Sequence, residues 1–158
     1  MTESKKLSLI LFSGDFDKAV AAFTLASGAA AVGYEIHFFA TFWGFNAFKN
    51  KKGHRPVGKG FLARFFNMLM GGFNNLPLSR LNFGGISPKL MTYMMKSQNV
   101  ATLEELKQAS VDLGVKFYAC EMSMVIMGTE LSDFAQFKEV LGVAKFLKLA
   151  EGGQVLFI

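Results

Sequence analysis

Apolar runs separated by glycine and polar residues predict alternating strands and helices at the start of the chain. The run 7–12 is short and continuously apolar, which predicts a buried strand. Asp15 follows in a position suited to cap a helix, which is expected to run over about 16–32 and to end at Gly33. A second buried strand is expected over about 34–40. The pattern is typical of a strand-helix-strand unit.

Helix and strand signals return after residue 100. Thr102 and Glu105 form a capping-box pattern, in which each side chain accepts a hydrogen bond from the other residue's backbone. Gly114 is expected to end this helix, and Val115–Ala119 is expected to form the next strand. The remaining elements are a short helix ending near Gly128, a strand near 137–140, a helix over about 143–150 and a strand over 154–158. Five strands separated by helices predict a three-layer α/β/α fold with a mainly parallel sheet, flavodoxin-like in architecture.

The segment from about 45 to 86 interrupts this alternation and is interpreted as an insertion in a single domain spanning 1–158. It begins basic and becomes apolar in GFLARFFNMLMGGF. On a helix, the apolar residues of that run share a broad stripe, which predicts an inserted helical arm or lid. The stripe consists of Phe61, Leu62, Phe65, Phe66, Leu69, Met70 and Phe73. Packing of this stripe on the chain's own sheet or on a neighbouring subunit is favoured over contact with lipid.

The net charge of +5 is concentrated in a basic cluster around His54. The cluster consists of Lys49, Lys51, Lys52, Arg55 and Lys59. Such clusters are usually solvated loops, so no nucleic acid is expected as a partner.

Residues 19–45 carry few charges, but a glycine and two ionisable residues divide them into the helix and strand above, which argues against a membrane span. Peripheral membrane contact stays open as an alternative.

The composition is that of one folded domain in a reducing compartment. The chain has 158 residues, of which 51% are apolar and 18% charged, which excludes a disordered protein. One cysteine cannot form an intrachain disulfide, and MTESKK lacks the apolar segment of a secretory signal, so a cytoplasmic location is expected.

A short helix expected at Ser87-Pro88 carries Met91, Met94 and Met95. They are interpreted as packing or interface residues, since no histidine or cysteine accompanies them; neither a metal nor another cofactor is expected.

The single cysteine, Cys120, follows a predicted strand in VKFYACEMSMVIMG. Reactive groups collect at the carboxyl ends of parallel strands, and a helix starting after Cys120 would direct backbone N–H groups toward a thiolate. Ser123 is placed either to donate a hydrogen bond to the sulfur or to cap the helix. The charge of Glu121 opposes a thiolate unless it points away. Because a lone cysteine also suits a core, these residues leave packing and chemistry equally open.

Three kinds of thiol site do not fit the residues around Cys120. Phosphatase and rhodanese loops place an arginine shortly after the cysteine, whereas Glu121–Met127 contains no basic residue. A thioredoxin reaction needs a second thiol, and a zinc site needs more than one cysteine and two distant histidines. Of these histidines, His37 is expected in a strand and His54 in a basic loop, which makes both weak candidates for acid–base catalysis.

The run LEELKQASVDLGVKFYACEMSMVIMG resembles the DsrE-like sulfurtransferase family, in its longer, peroxiredoxin-like branch. Cys120, Ser123 and Gly128 match the family's Cys-x-x-Ser pattern and the glycine that follows it. The likeness extends to Ser13-Gly14-Asp15 and to GVAKFLKLAEGGQVLFI, so it covers most of the chain. Peroxide chemistry is not supported, because Phe117 stands three residues before the cysteine, where a peroxiredoxin places threonine.

The resemblance implies a parallel α/β domain that assembles into homo-oligomers and carries sulfane sulfur as a persulfide. On this chain, Cys120 would accept the sulfur and pass it to another thiol without a cofactor. Ser123 and local backbone amides would stabilise the anionic sulfur, with Ser13 and Gly14 in support. A TusA-like carrier or a rhodanese would be the exchange partner by analogy.

Two other functions are weighed against sulfur transfer. One is a noncatalytic oligomeric module whose Phe/Met-rich arm binds a protein or membrane surface, with Cys120 packed in the core. The other is a nucleotide-binding protein, which the sheet architecture permits. Its support in the sequence is poor, because Ser13-Gly14-Asp15 is too short for a specific phosphate cradle and no Walker or dinucleotide glycine pattern is present.

Overall fold

The computed structural model describes residues 5–49, 61, 73–81, 83 and 86–158, and a parallel sheet forms its centre. The strands of this sheet are β1 (Lys6–Leu11), β2 (Glu35–Ala40), β3 (Lys116–Cys120), β4 (Glu139–Leu141) and β5 (Gln154–Phe157). Their order is β4-β3-β2-β1-β5, and each neighbouring pair is parallel. The predicted α/β fold with a parallel five-stranded sheet is confirmed.

Helices and short 3₁₀ turns connect the strands. The α-helices with described bounds are α1 (Phe16–Ala31), α2 (Ile86–Ser97), α3 (Leu103–Asp112), α4 (Glu121–Met127) and α5 (Val143–Ala150). The 3₁₀ turns are Phe42–Ala47, Phe73–Asn75 and Leu131–Asp133. α1 and α3 pack against each other and form one helical layer.

Adjacent residues of β2 define the two faces of the sheet. Phe38 stacks on Phe23 of α1 with ring centroids 5.1 Å apart, and Phe39 stacks on Phe146 of α5 at 4.4 Å. Because successive side chains in a strand point to opposite faces, α1 and α5 lie on opposite sides of the sheet. From β1 to β4 the chain moves in one direction, and it then returns through α5 to place β5 beside β1. Right-handed crossovers require the returning helix to lie on the other face.

Helix ends follow the local sequence signals, with one exception. The Thr102 hydroxyl accepts a hydrogen bond from the Glu105 N–H (3.4 Å), and the Glu105 carboxylate accepts one from the Thr102 N–H (2.7 Å), which confirms the capping box. Gly114 follows α3 with φ +79°, the left-handed conformation that favours glycine. Asp15 occupies the N-cap of α1, but its carboxylate makes no cap hydrogen bond and accepts one from the Ser13 hydroxyl instead.

A few expectations differ from the structure. β3 extends to Cys120, and β4 begins at Glu139 rather than near residue 137. Phe137 is buried in the segment before β4, where its ring lies 4.6 Å from that of Phe48, so its apolar character reflects core packing rather than a strand.

The prediction of a solvated basic loop is wrong at Lys49, which is partly buried; burial lowers the pKa of its ammonium group. The other members of that basic cluster lie outside the described residues.

Most of the predicted arm at 45–86 lies outside the described residues. Of its expected apolar stripe, Phe61 is exposed and Phe73 is half-buried, and the other members are not among the described residues. The beginning of the segment belongs to the core, since Phe45 and Phe48 are completely buried. The arm itself therefore stays a prediction.

Four phenylalanine rings hold the layer of α1 and α3 on the sheet. Phe23, Phe38, Phe48 and Phe117 are each at most 2% exposed, and every pair of ring centroids lies between 5.1 and 6.2 Å apart. Aromatic pairs of this kind each add about 0.5–1.5 kcal/mol beyond the burial of their area. This aromatic cluster joins α1, β2 and β3, and so fixes the position of the strand that ends at Cys120.

Replacing Phe23 by alanine is expected to lower the free energy of unfolding by about 3–5 kcal/mol, because it leaves a cavity among the other three rings. Urea denaturation followed by circular dichroism measures the change. Phe83→Ala is the matched control, since it removes the same atoms from a ring that is 69% exposed. Equal losses in the two variants would contradict a core built on this cluster.

Candidate functional site

The carboxyl ends of the parallel strands bring several sequence-distant residues to one edge of the sheet. Ala40 pairs with Ala119, so the next residues, Thr41 and Cys120, lie side by side. On its other side Cys120 pairs with Leu141 of β4. We call this edge, from β1 to β4, the carboxyl edge.

Cys120 is the last residue of β3 and the N-cap of α4, so it lies at the predicted junction of strand and helix, inside the strand by one residue. Its side chain is only 5% exposed. Within the described part of the chain, its sulfur has no hydrogen-bond partner. The thiol is therefore buried, and none of the described residues donates a hydrogen bond to its sulfur or accepts one from it.

Two helices begin beside Cys120. α4 starts at the next residue, and α5 starts two residues after Leu141, the partner of Cys120 in β4. The free N–H groups at a helix start carry partial positive charge and favour a nearby anion. The Glu121 carboxylate lies near the start of α5, since its Oε2 is 3.5 Å from where a Cβ on Gly142 would be.

The Ser123 hydroxyl binds Thr41 in this structure. The two oxygens are 2.7 Å apart, and the residues are 0% and 8% exposed. This contact ties the first turn of α4 to the end of β2, so it fixes the turn that carries Cys120. Thr41 is not among the residues predicted for the site, although a threonine directly after a buried strand is a recognisable signal for the carboxyl edge.

Ser13 and Gly14 follow β1, which is two strands away from β3. Neighbouring strands are about 4.8 Å apart, so these residues lie about 10 Å from Cys120. The Ser13 hydroxyl donates to the Asp15 carboxylate at 2.7 Å and accepts from the Asp15 N–H at 3.2 Å. Gly14 is needed for close packing, because an added Cβ would lie 2.9 Å from the Trp43 carbonyl oxygen. Both residues shape the carboxyl edge rather than contact the sulfur.

An aromatic rim borders the same edge. The ring of Phe12 lies 5.5 Å from Phe42 and 5.8 Å from Phe157, and the nearby Trp43 is 40% exposed. Phe42 has φ +45°, a left-handed conformation that costs a residue other than glycine about 1–3 kcal/mol. Nothing in the sequence indicates this strain, which is of the kind that clusters at functional sites.

His37 lies away from the carboxyl edge, inside β2. Thr41 is four positions further along the chain, or about 13 Å away. Its Nδ1 is 3.3 Å from the Tyr118 hydroxyl, and its Nε2 is 3.3 Å from a Glu35 oxygen without hydrogen-bond geometry. Burial lowers the pKa of His37, and the charge of Glu35 only partly opposes this. His37 therefore belongs to the sheet and not to the site, and His54 lies outside the described residues.

Two other kinds of site were sought in the described residues. No group of three or more histidine, cysteine, aspartate and glutamate side chains there is arranged to hold a metal ion. None of the helices described is both long and apolar enough to cross a lipid bilayer.

A known protein family matches nearly the whole chain. The model of the DsrE/DsrF/DrsH-like family matches residues 3–158. The chain belongs to this family. The predicted resemblance to DsrE-like proteins is thereby confirmed.

Relatives of this DsrE-like chain include one with a functional name. The uncharacterized protein YrkE of Bacillus subtilis is 44% identical over 161 residues and covers 100% of both chains. The sulfur carrier protein DsrE2 of Allochromatium vinosum is 35% identical over 150 residues and covers 94% of both. A sulfur carrier is therefore among the relatives that match nearly the whole DsrE-like chain.

Solved structures support the fold of this DsrE-like chain. MTH1491 of Methanobacterium thermoautotrophicum, a protein of unknown function, has a TM-score of 0.54 at 13% identity and covers 98% of this chain and 100% of its own. YchN of E. coli has a TM-score of 0.51 at 10% identity, with 98% and 99% covered. At these identities the likeness concerns the fold alone.

Removing either hydroxyl of the Thr41–Ser123 pair is expected to cost about 1–3 kcal/mol of unfolding free energy, because the remaining buried hydroxyl loses its partner. The double variant Thr41→Val, Ser123→Ala should lose less than the sum of the two single variants, by about 1 kcal/mol. Urea unfolding of all four proteins measures this coupling. Strictly additive losses would show that the two hydroxyls do not stabilise each other.

The fold is expected to lose stability as the pH falls below about 6.5, the usual pKa of an unfolded histidine. The lowered pKa of His37 keeps its ring neutral in the folded state, so the unfolded chain binds the extra proton. The loss is at most about 1.4 kcal/mol per pH unit for this one proton. Unfolding between pH 7.5 and about 5.5 should show this slope. His37→Gln should remove it, His54→Gln should retain it, and an equal slope in all three proteins would contradict the assignment.

Proposed function

We propose that this chain is a sulfur carrier that holds sulfane sulfur as a persulfide on Cys120 and exchanges it with thiols of partner proteins. The observation that carries the proposal is the position of the chain's single cysteine, at the carboxyl edge where two helices begin. Membership of the DsrE/DsrF/DrsH-like family and the 35% identity to a protein named as a sulfur carrier support it.

The transfer step needs one cysteine from this chain. The Cys120 thiolate attacks the outer sulfur of a donor persulfide, and a new sulfur–sulfur bond forms at Cys120 as the donor's bond breaks. The donor leaves as a thiolate, and the proton of the transferred S–H group stays on that sulfur. No net oxidation occurs, and the reverse step delivers the sulfur to an acceptor thiolate.

The surrounding groups stabilise the negative charge of this chemistry. Backbone N–H groups at the starts of α4 and α5 favour an anionic sulfur. The Ser123 hydroxyl, when turned from Thr41, donates to the persulfide, and Ser13 and Gly14 shape the approach of the partner. Cys120 is only 5% exposed. The outer sulfur of the persulfide lies one bond farther from the backbone than Sγ, so it is closer to an incoming thiol.

Partners and assembly belong to the same proposal. A TusA-like carrier or a rhodanese supplies or accepts the sulfur, in the cytoplasm, where the thiol stays reduced. The chain assembles into a homo-oligomer. The edge strand β5 supports such assembly, because Val155, Leu156 and Phe157 are 44%, 38% and 68% exposed.

Incubation with a persulfide donor is expected to add the mass of one sulfur atom to the intact chain, since the only thiol is Cys120. Mass spectrometry under native and reducing conditions measures the adduct, which a reducing thiol should remove. Cys120→Ala should stay unmodified, with circular dichroism confirming its fold.

The donors should include inorganic polysulfide and a rhodanese loaded with thiosulfate. A wild-type chain that stays unmodified with both, while its thiol still reacts with iodoacetamide, would overturn the proposal. An adduct of equal mass on Cys120→Ala would also overturn it, because the sulfur would then lie elsewhere.

A further inference from the structure

Thr41 and Cys120 leave the sheet side by side and on the same face. Both residues keep extended backbone, with φ −140° and ψ 153° at Thr41 and φ −72° and ψ 117° at Cys120, so the alternation of the strands continues through them. Their side chains therefore project on the same face as Phe39 and Tyr118, which is the face that α5 covers. The spacing of neighbouring strands places the two Cα atoms about 4.8 Å apart.

The helix α4 brings the Ser123 hydroxyl to the same place. Its oxygen lies 2.7 Å from the Thr41 Oγ1, and Ser123 and Thr41 are 0% and 8% exposed. Neither hydroxyl makes a second hydrogen bond to the described part of the chain. Two buried hydroxyls thus meet on the face from which the Cys120 side chain projects.

This pair of hydroxyls carries one proton more than its own hydrogen bond uses. Each hydroxyl has one O–H to donate, and the bond between the two oxygens uses one of them. A buried donor without an acceptor is unfavourable, so the second O–H favours an acceptor that arrives beside it. A pair that served only to join α4 to β2 would need no second donor.

A sulfur atom bound to Cys120 would be an acceptor for this second O–H. The sulfur–sulfur bond of a persulfide is about 2.05 Å long, so the outer sulfur extends beyond Sγ by that distance. When it is ionised, it is an anion, and hydrogen bonds to anions are stronger than those between neutral groups.

We propose that Thr41 is a positioning residue for the sulfur held on Cys120. Its hydroxyl donates to the Ser123 oxygen and so directs the Ser123 O–H to the anionic outer sulfur. When that oxygen accepts from Thr41, its own proton points away from Thr41, and both O–H groups have an acceptor. The inference rests on the proposed function at Cys120 and adds how the loaded sulfur is retained.

The anion held in this way is a storage form. It reacts slowly with an acceptor thiolate, because the two negative charges repel each other. Delivery begins when the acceptor thiol passes its proton to the outer sulfur. The acceptor thiolate then attacks that sulfur, the bond to Sγ breaks, and Cys120 leaves as a thiolate. One anion and one S–H group are present before and after the transfer, so protons and charge balance.

The test measures how fast the full chain, loaded with sulfur from inorganic polysulfide, loses it to a fixed concentration of N-acetylcysteine at neutral pH. Intact mass follows the loss. Thr41→Val should discharge about fivefold faster and Ser123→Ala about tenfold faster, because the anion loses its directed donor. Thr41→Ser, which keeps the hydroxyl, should restore the wild-type rate. The double variant Thr41→Val, Ser123→Ala should be no faster than Ser123→Ala, because Thr41 acts through Ser123.

The matched control is Thr129→Val. Thr129 follows the other end of α4, is 7% exposed, and its hydroxyl has no hydrogen-bond partner among the described residues. This variant should discharge like the wild type. Alkylation of the unloaded thiol by iodoacetamide should keep the wild-type rate in every variant, because the free sulfur makes no bond to the hydroxyl pair. Circular dichroism should confirm that all variants fold.

Three results would contradict the role of Thr41. The first is discharge of Thr41→Val at the wild-type rate. The second is discharge of Thr41→Ser as fast as that of Thr41→Val, which would assign the effect to packing. The third is alkylation that accelerates together with discharge, which would show that the pair only limits access to Cys120.

The same experiment separates this inference from the proposed function. A wild-type chain that takes up no sulfur overturns both. A wild-type chain that loads sulfur, with variants that discharge at its rate, overturns the role of Thr41 alone.

Discussion

A parallel sheet is stable only when both of its faces are covered, and the adjacent residues Phe38 and Phe39 show how this chain meets that requirement. Phe38 is covered by the aromatic cluster under α1, and Phe39 is covered by Phe146 of α5. To provide the second cover, the chain must cross the sheet again after β4.

The candidate site lies at the carboxyl edge, where the regular backbone pairing of β2, β3 and β4 ends. There the side chains of separate segments meet: Thr41 binds Ser123, and Glu121 lies against the start of α5. The Thr41–Ser123 hydrogen bond connects α4 to β2. The turn that carries Cys120 is therefore tied to the neighbouring strand. A thiol in such a turn keeps one position relative to the surrounding backbone N–H groups, which is the preorganisation that charge stabilisation requires.

Local signals in the sequence predicted the framework well. Gly114 and the pair Thr102 and Glu105 set the ends of a helix through contacts with residues close in sequence. These helix ends can therefore be predicted without knowledge of the fold. The contact of Thr41 with Ser123 joins residues 82 positions apart, and the left-handed φ of Phe42 has no sequence signal. Such features depend on which strands become neighbours in the sheet, and the strand order cannot be read from a single sequence.

The helix α2 illustrates a second limit of sequence periodicity. The spacing of apolar residues identifies which side of a helix is apolar, but not whether that side faces the domain. Met91, Met94 and Met95 are predicted to be packing or interface residues; Met95 packs against the core, whereas Met94 is 52% exposed. What decides the orientation is the contact of the opposite side with the domain, together with the Ser87 bonds to the preceding loop.

The pairing of β5 with β1 affects how the protein is made. β1 leaves the ribosome before the other four strands of the sheet, but Leu7 pairs with Gln154, and the Ile158 N–H donates to the Ile10 carbonyl at 2.8 Å. One edge of β1 therefore stays open until the last of the five strands has been synthesised. An open strand edge is a template for pairing with other chains. The nascent chain is thus exposed to misassembly from the synthesis of β1 until that of β5.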